Sequence, residues 1–373
     1  MTDFNGPRRR FLGAAGIATI ATLSGGALFS QSRIAGAQTV KTLRWGVVGT
    51  GGIANSMARM IKMADSAELA AVSSRRMETA QEFANDHGVP NAFDSWEEMC
   101  GSDTVDAIYV ATPTSVREEI CLAAANNGKH VLGEKPFASL PSVRRITAAC
   151  RDNNVAFMDG THFVHHPRTL DIKAGREARL GFTWSVASAF QFNLPDRGNI
   201  RFNPELEPMG AIGDAGWYNM RAAVEYLSPD AVLDTVSSHL RRDAQTGAAI
   251  SGTGVLDFTD GSTSTWNCGF DSGAVVMDLR ITGTGGVINI DDFLGQNPDG
   301  SADFLYRKGG WGGGSSEDIN IPSAKPGAAL MFEDVATAAA EPALRGQWMT
   351  ATERTQALLD AAWLGALESE KNG

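Results

Sequence analysis

From residue 43 onward the apolar positions alternate between two periods. LRWGVV (43–48) is a short apolar run of β-formers; GTGGIA (Gly49 to Ala54) follows at once, then SMARMIKM at helical spacing. This predicts a strand, a glycine turn and a helix. ELAAVSS (68–74) predicts a second strand, and METAQEFANDHG a second helix stopped by Gly88. DAIYVAT (106–112), the helical VREEICLAAANNG and the strand HVLGEKP continue the series. Strands alternating with helices of this length predict a doubly wound parallel sheet over residues 41–160.

Past about residue 165 the pattern changes. TWSVASAFQF (183–192), TVSSHLRR (235–242), GTGVLDFTDGSTSTWNCGF (252–270) and VVMDLRITGTGGVINI (275–290) read as longer strands, with Asp260-Gly261 as a hairpin turn. Few helices intervene, so residues 161–373 are expected to form an α+β domain on a mainly antiparallel sheet. A helical signal at 211–227 packs beside that sheet, and 328–368 reads as a helical tail that packs on the first domain. GGWGGGSSED (309–318) is expected to be a flexible loop. No internal repeat is present.

Residues 1–37 stand apart from the fold. Arg8, Arg9 and Arg10 precede Phe11 and Leu12, then the weakly apolar GAAGIATIATLSGGALF and Ala35-Gly36-Ala37. This is the pattern of a twin-arginine export signal with a small-residue cleavage site, and it predicts a periplasmic protein. An uncleaved anchor is the other reading, but about 17 residues rich in Gly, Ala and Thr are marginal for spanning a bilayer. The 32 Lys and Arg against 43 Asp and Glu leave a net charge of −11. An acidic chain without a basic face is a poor partner for nucleic acid or an anionic membrane. Cys100, Cys121, Cys150 and Cys268 have no metal-ligand spacing, so no metal is expected and all four thiols are expected to be free.

GTGGIA fits the dinucleotide fingerprint G-x-G-x-x-A inside a strand–turn–helix unit. Gly49 makes the tight turn, Gly51 lets the backbone approach a pyrophosphate, and Thr50, Gly52 and Ile53 complete the loop at a helix N-terminus. After the second strand, where an acid would hold a ribose 2′-hydroxyl, the chain has Ser74, Arg75 and Arg76. Hydroxyl and guanidinium groups suit a 2′-phosphate, which points to NADP. Lys135 of Glu134-Lys135-Pro136 follows a strand end and faces the ligand crevice. Asp214 and Tyr218 are spaced i, i+4 and share a helix face, a carboxylate and a phenol suited to proton transfer.

In this order the motifs resemble the Gfo/Idh/MocA oxidoreductase family, through GTGGIA, VDAIYVATPTSVREE, GKHVLGEKPFA, D-x-G-x-Y and LRITGTGGVINI. The resemblance covers residues 41–370 and is nearest the glucose–fructose and aldose–aldose oxidoreductase branch. It implies an α/β protein with an N-terminal Rossmann domain and a C-terminal open-faced sheet. It also implies NADP at the strand ends, bordered by Thr112, Pro113, Glu134 and Lys135, with Lys135, Tyr218 and Asp214 catalytic. Lys135 is expected to lower the pKa of Tyr218 and Asp214 to orient the sugar. The open sheet face implies a homodimer or homotetramer. Where the family has A-T-P-N-x-x-H, this chain has Thr114 and Arg117, and THFVHHP (161–167) holds half of its histidines. Arg117, His162 and His165 are therefore expected at the substrate, His166 in a structural role.

Four functions remain open at this point. The first is an exported oxidoreductase that keeps its NADP, oxidises an aldose at C1 to a lactone and reduces a second sugar. The second is an NADP dehydrogenase with exchangeable cofactor acting on xylose, glucose or a dihydrodiol. The others are a non-catalytic NADP-binding regulator and a glycosidase on the same fold. Which sugar is used is not legible in the residues.

Overall fold

The computed structural model describes residues 40–372; the segment expected to be an export signal lies outside them. Six strands form a parallel sheet: β1 (Leu43–Val48), β2 (Ala67–Ser73), β3 (Asn91–Phe93), β4 (Ala107–Val110), β5 (His130–Gly133) and β6 (Phe157–Asp159), in the order β3-β2-β1-β4-β5-β6. The strands are buried on both faces, which is why they read as unbroken apolar runs. Helices α1 (Gly52–Met63), α2 (Met77–His87), α3 (Trp96–Gly101), α4 (Thr114–Asn126) and α5 (Leu140–Asp152) provide the crossovers. Gly88 ends α2 in the left-handed region at φ 59°. The side chain of Ser139 caps α5. The strand order reverses between β1 and β4, so the ligand crevice opens at their carboxyl ends.

The second sheet has nine strands: β7 (Thr183–Asn193), β8 (Leu233–Arg242), β9 (Ala249–Phe258), β10 (Thr263–Gly269), β11 (Asp271–Val276), β12 (Leu279–Gly283), β13 (Val287–Ile290), β14 (Ala302–Gly310) and β15 (Gly313–Ile321). Their order is β15-β14-β13-β12-β7-β10-β9-β8, with β11 against β7. All pairs are antiparallel except β7 with β10. The face bearing Leu256 and Trp266 is buried beneath helices, whereas Thr253, Thr265, Arg280 and Asn289 line the open face.

The expected loop at 309–318 is instead the tip of the β14–β15 hairpin. Lys308 pairs with Ser315 and Gly309 with Gly314, around a turn whose Gly312 has φ +93°. Backbone ladder bonds need no apolar alternation, so a strand exposed on both faces leaves no periodic signal.

The helical tail returns to the first sheet. Phe332, in the helix Gly327–Ala340, packs edge-on against Trp45 with ring centres 4.9 Å apart. Within the helix Arg345–Asn372, Thr352 donates to Asp159 at the end of β6 (2.6 Å). Asp159 also pairs with Arg221 (2.6 Å), which pairs with Glu225 (2.7 Å), a buried ionic chain between the two sheets. All four cysteines are free and buried. Among the described residues no helix is long and apolar enough to cross a membrane, and no group of metal-ligating side chains is present.

Candidate active site

The glycine loop opens onto the crevice. Gly49 has φ +104°, and a Cβ there would lie 2.7 Å from the carbonyl of Ala111, so only glycine fits. In front of Gly51 and Gly52 nothing lies within 4 Å of a Cβ position, and no side chain caps the N-terminus of α1. Free N–H groups beside open space are what a pyrophosphate needs. Thr50 is half-buried and Ile53 is exposed along the same rim. Two residues absent from the sequence reading shape this loop. Asn55 Nδ2 donates to the carbonyls of Thr50 and Gly51, both at 3.0 Å. Asn55 Oδ1 therefore accepts from His87 Nε2 (2.7 Å).

Ser74, Arg75 and Arg76 follow the end of β2. Ser74 shares a hydroxyl–hydroxyl bond with Thr79 (2.7 Å). Both arginines are exposed and make no ion pair among the described residues, so they remain available to an anion at this edge.

At the end of β4, Thr112 Oγ1 is buried without a partner and Pro113 is half-buried. An orphaned hydroxyl at the mouth of the crevice is a group a ligand would satisfy. Arg117 corrects an expectation. It is buried, and its guanidinium donates to the carbonyls of Thr112 and Pro136 and to Thr114 Oγ1 (3.1 Å). It ties the ends of β4 and β5 together and is not available to a substrate. Glu134 is also buried. It accepts from Tyr109 Oη (2.5 Å) and from the Lys135 amide (3.3 Å), and burial pushes its carboxyl above the usual range.

The chemistry-bearing residues converge just beyond β5. Lys135 Nζ donates to Asp214 Oδ1 at 2.6 Å and to the Asp214 carbonyl at 3.1 Å. Asp214 Oδ2 accepts from Arg201 Nε (2.6 Å), and Arg201 Nη2 reaches Oδ1 at 3.4 Å. Burial alone would raise this carboxyl, but Lys135 and Arg201 overcome it and hold the group well below the usual carboxylate range. Both of its oxygens are thus engaged by cations. Asp214 organises two donors instead of holding a sugar with free lone pairs. Arg201 lies in a single 3-10 turn, Ile200–Phe202, with no motif, and nothing in the chain pattern pointed to it.

Tyr218 is buried under this pair, with Lys135 Nζ 4.7 Å from its ring centre. The expected lowering of its pKa by Lys135 is not found. Burial, then the charges of Glu134 and Asp214, raise it well above 10, and Arg201 is the charge that opposes them. The resting group is a neutral phenol. His162 packs beside it, ring centres 5.7 Å apart, and burial followed by the charge of Lys135 pushes its pKa down to about 4. His162 is therefore a neutral imidazole at the site. His165 corrects a second expectation: buried, stacked on Trp348 at 4.7 Å and bonded to Asp334 (2.7 Å), it braces the C-terminal helices away from the substrate side. His166 Nε2 bonds to the Gly300 carbonyl (2.9 Å), a structural contact.

A dinucleotide fits these residues: an open glycine loop and uncapped helix N-terminus at β1, unpaired arginines at β2 and an unsatisfied hydroxyl at β4. Residues 43–161 match the model of an oxidoreductase family with an NAD-binding Rossmann fold. A D-xylose 1-dehydrogenase (NADP(+)) of Haloferax volcanii is 31% identical over 271 residues, 72% of this chain and 82% of the relative. A scyllo-inositol 2-dehydrogenase (NADP(+)) of Bacillus subtilis is 28% identical, with 78% and 86% covered. Among solved structures, a 3-ketoreductase from Actinomadura kijaniata in complex with NADP and TDP-benzene superposes with a TM-score of 0.79 at 24% identity over 87% of this chain and 98% of that one. An aldose-aldose oxidoreductase from Caulobacter crescentus superposes with a TM-score of 0.76 at 21% identity, with 88% and 98% covered. These two establish likeness of fold. With the fold, the crevice and the sequence match in agreement, the chain belongs to the Gfo/Idh/MocA family of NAD(P)-dependent oxidoreductases.

Proposed function

We propose that this protein is an exported sugar oxidoreductase that keeps NADP bound, oxidises an aldose at C1 to the lactone and reduces a second sugar in the same site. The observation that carries the reading is the Lys135–Asp214–Arg201 cluster set over the Tyr218 phenol beside the coenzyme crevice. NADP, when bound, supplies the hydride acceptor of the first half-reaction and the donor of the second. The glycine loop and the N-terminus of α1 hold its pyrophosphate. Ser74, Arg75 and Arg76 hold its 2′-phosphate, and Thr112, Pro113, Glu134 and Lys135 border its reactive end.

Lys135 and Arg201, fixed by one carboxylate, present N–H donors to sugar hydroxyls. The Tyr218 hydroxyl exchanges the proton of the reacting hydroxyl. Held as a phenol, it is ready to donate in the reductive half, while in the oxidative half it first loses its proton to solvent and then, as the phenolate, takes the sugar's. His162 borders the same space as a neutral acceptor. The names of the two NADP-dependent relatives support a sugar or polyol substrate. Retention is supported by the twin-arginine segment, because an exported dehydrogenase has no cytosolic pool to recycle its cofactor. The open face of the nine-stranded sheet is the surface on which a homodimer or homotetramer would form.

A second reading, an NADP dehydrogenase with exchangeable cofactor, is favoured by the likeness to the xylose dehydrogenase. One spectrum separates the two. In dialysed protein given glucose alone, retained NADP is expected to show a new band at about 340 nm. Turnover only after NADP is added supports exchange, and no reaction with any aldose overturns both.

A further inference from the structure

The segment between Arg201 and Glu207 belongs to the second domain but is tied down at both ends to groups near the carboxyl ends of β5 and β4. At one end Arg201 grips Asp214, beside Lys135 at the carboxyl end of β5. At the other end Glu207 reaches the first turn of α4, at the carboxyl end of β4. Glu207 Oε1 accepts from the Thr114 amide at 3.0 Å, and Oε2 accepts from Thr114 Oγ1 at 2.6 Å. The Ser115 amide donates to the Leu206 carbonyl at 3.2 Å. Between its anchors the segment is compact: the amides of Leu206 and Glu207 donate to the Asn203 carbonyl at 3.1 and 2.9 Å.

One anchor thus lies beside Lys135, just after β5, and the other on Thr114, two residues after Thr112, whose buried hydroxyl has no partner. In this sheet order the reactive half of a dinucleotide lies at the ends of β4 and the strand beside it. A carboxylate on two donors at a helix N-terminus makes a strong tie, because the N–H groups and the helix dipole both favour negative charge. Arg117, which donates to the same Thr114 hydroxyl, fixes that hydroxyl from behind.

We infer that Glu207 is a positioning residue that latches residues 201–207 as a strap across the reactive end of the coenzyme, and that opening this latch limits coenzyme release. The inference rests on the retained-NADP reading and gives it a physical cause. Glu207 touches neither coenzyme nor substrate in this account; it acts through Thr114 and the strap.

The test is the release rate of NADPH from the loaded protein, followed by coenzyme fluorescence after mixing with excess NADP, for wild type, Glu207→Gln, Glu207→Ala and Thr114→Val. Loss of a charge-assisted hydrogen bond is worth about tenfold or more. Glu207→Ala is therefore expected to release at least about tenfold faster, and Glu207→Gln, which keeps one acceptor oxygen, to fall between it and wild type. Thermal unfolding of the coenzyme-free proteins is read alongside. The latch predicts faster release with unfolding temperatures close to wild type, whereas release that tracks lost stability overturns it. If Glu207→Ala does not fold, Glu207→Gln and Thr114→Val decide, and wild-type release rates in both overturn the inference. A wild type that sheds NADPH faster than it turns over refutes the retained-cofactor reading instead, and the ratio of variant to wild-type rates still judges the latch.

Discussion

Lys135 and Asp214 lie 79 positions apart, yet the lysine ammonium sits 2.6 Å from one carboxylate oxygen and also donates to the aspartate's own carbonyl. The pair joins the end of β5 to the second domain at the point where chemistry is proposed. Replacing Lys135 by Met, or Asp214 by Asn, is expected to slow reduction of bound NADP by an aldose by roughly 10²–10³-fold, within the usual worth of a positioned polar group in catalysis. If the two act as one unit, the double variant is little slower than either single one. Single-turnover absorbance measures this, and fully additive losses would show two independent roles.

Tyr218 gives a prediction with a sign. Burial and the nearby Glu134 and Asp214 charges raise its pKa above 10, so it is protonated throughout the neutral range. If Tyr218 accepts the proton in the proposed oxidation, the oxidative single turnover is expected to rise with pH and not level off below about pH 10. The reductive half, which needs the phenol, should show no such rise. Tyr218→Phe should slow the chemical step roughly 10²–10⁴-fold while coenzyme still binds. A profile flat from about pH 5 upward would instead mark His162, which is neutral down to about 4, as the acceptor.

In the proposed reading, coenzyme choice rests on the exposed arginines after β2. Arg75→Ala is expected to weaken NADP binding by about 1.5–3 kcal/mol, the scale of a hydrogen bond to a charged group. NAD, which lacks the 2′-phosphate, should bind almost as before. Titration calorimetry with both coenzymes tests this; equal losses would make Arg75 a structural residue.

The buried chain Asp159–Arg221–Glu225 should be visible in acid. Burial would raise the Glu225 carboxyl, but Lys173 and Arg221 overcome it and lower its pKa from 4.5 to about 2. Its contribution is therefore complete above the unfolded-state value and is lost as pH falls from about 4.5 towards 2. Glu225→Gln is expected to cost roughly 3 kcal/mol at neutral pH, because it removes one partner from a buried ion pair. The gap from wild type should narrow below about pH 4.5. Urea unfolding at several pH values checks both statements.

Export can be tested apart from catalysis. With Arg8, Arg9 and Arg10 all replaced by Lys, a folded, active precursor is expected to remain in the cytoplasm. Cell fractionation reads the result, and continued accumulation in the periplasm would remove the twin-arginine argument for a retained cofactor.

Chain order alone determined the parts of this protein whose physics is local. The LRWGVV run, the glycine turn and the helix after it specify one another within about twenty residues, because an open loop at a helix N-terminus is built from neighbouring backbone. Lys135, Asp214 and Tyr218 were legible for a similar reason, each lying at a strand end or on a short helical motif. Tertiary structure decided what these groups are charged against. Arg201 comes from a 3-10 turn without a motif, and its place on Asp214 follows from how the chain folds back between β7 and the helix Gly210–Asp214. Arg117 and His165 have the residue types of substrate ligands, yet packing directs them to carbonyls and to Asp334. The resting state of Tyr218 was likewise hidden, since burial, the Glu134 carboxylate far off in the chain and the nearby Asp214 raise its pKa even with the lysine above its ring. The β14–β15 tip shows the same limit from the other side: its pairing is made by backbone bonds, which glycine and serine form without any apolar pattern to announce them.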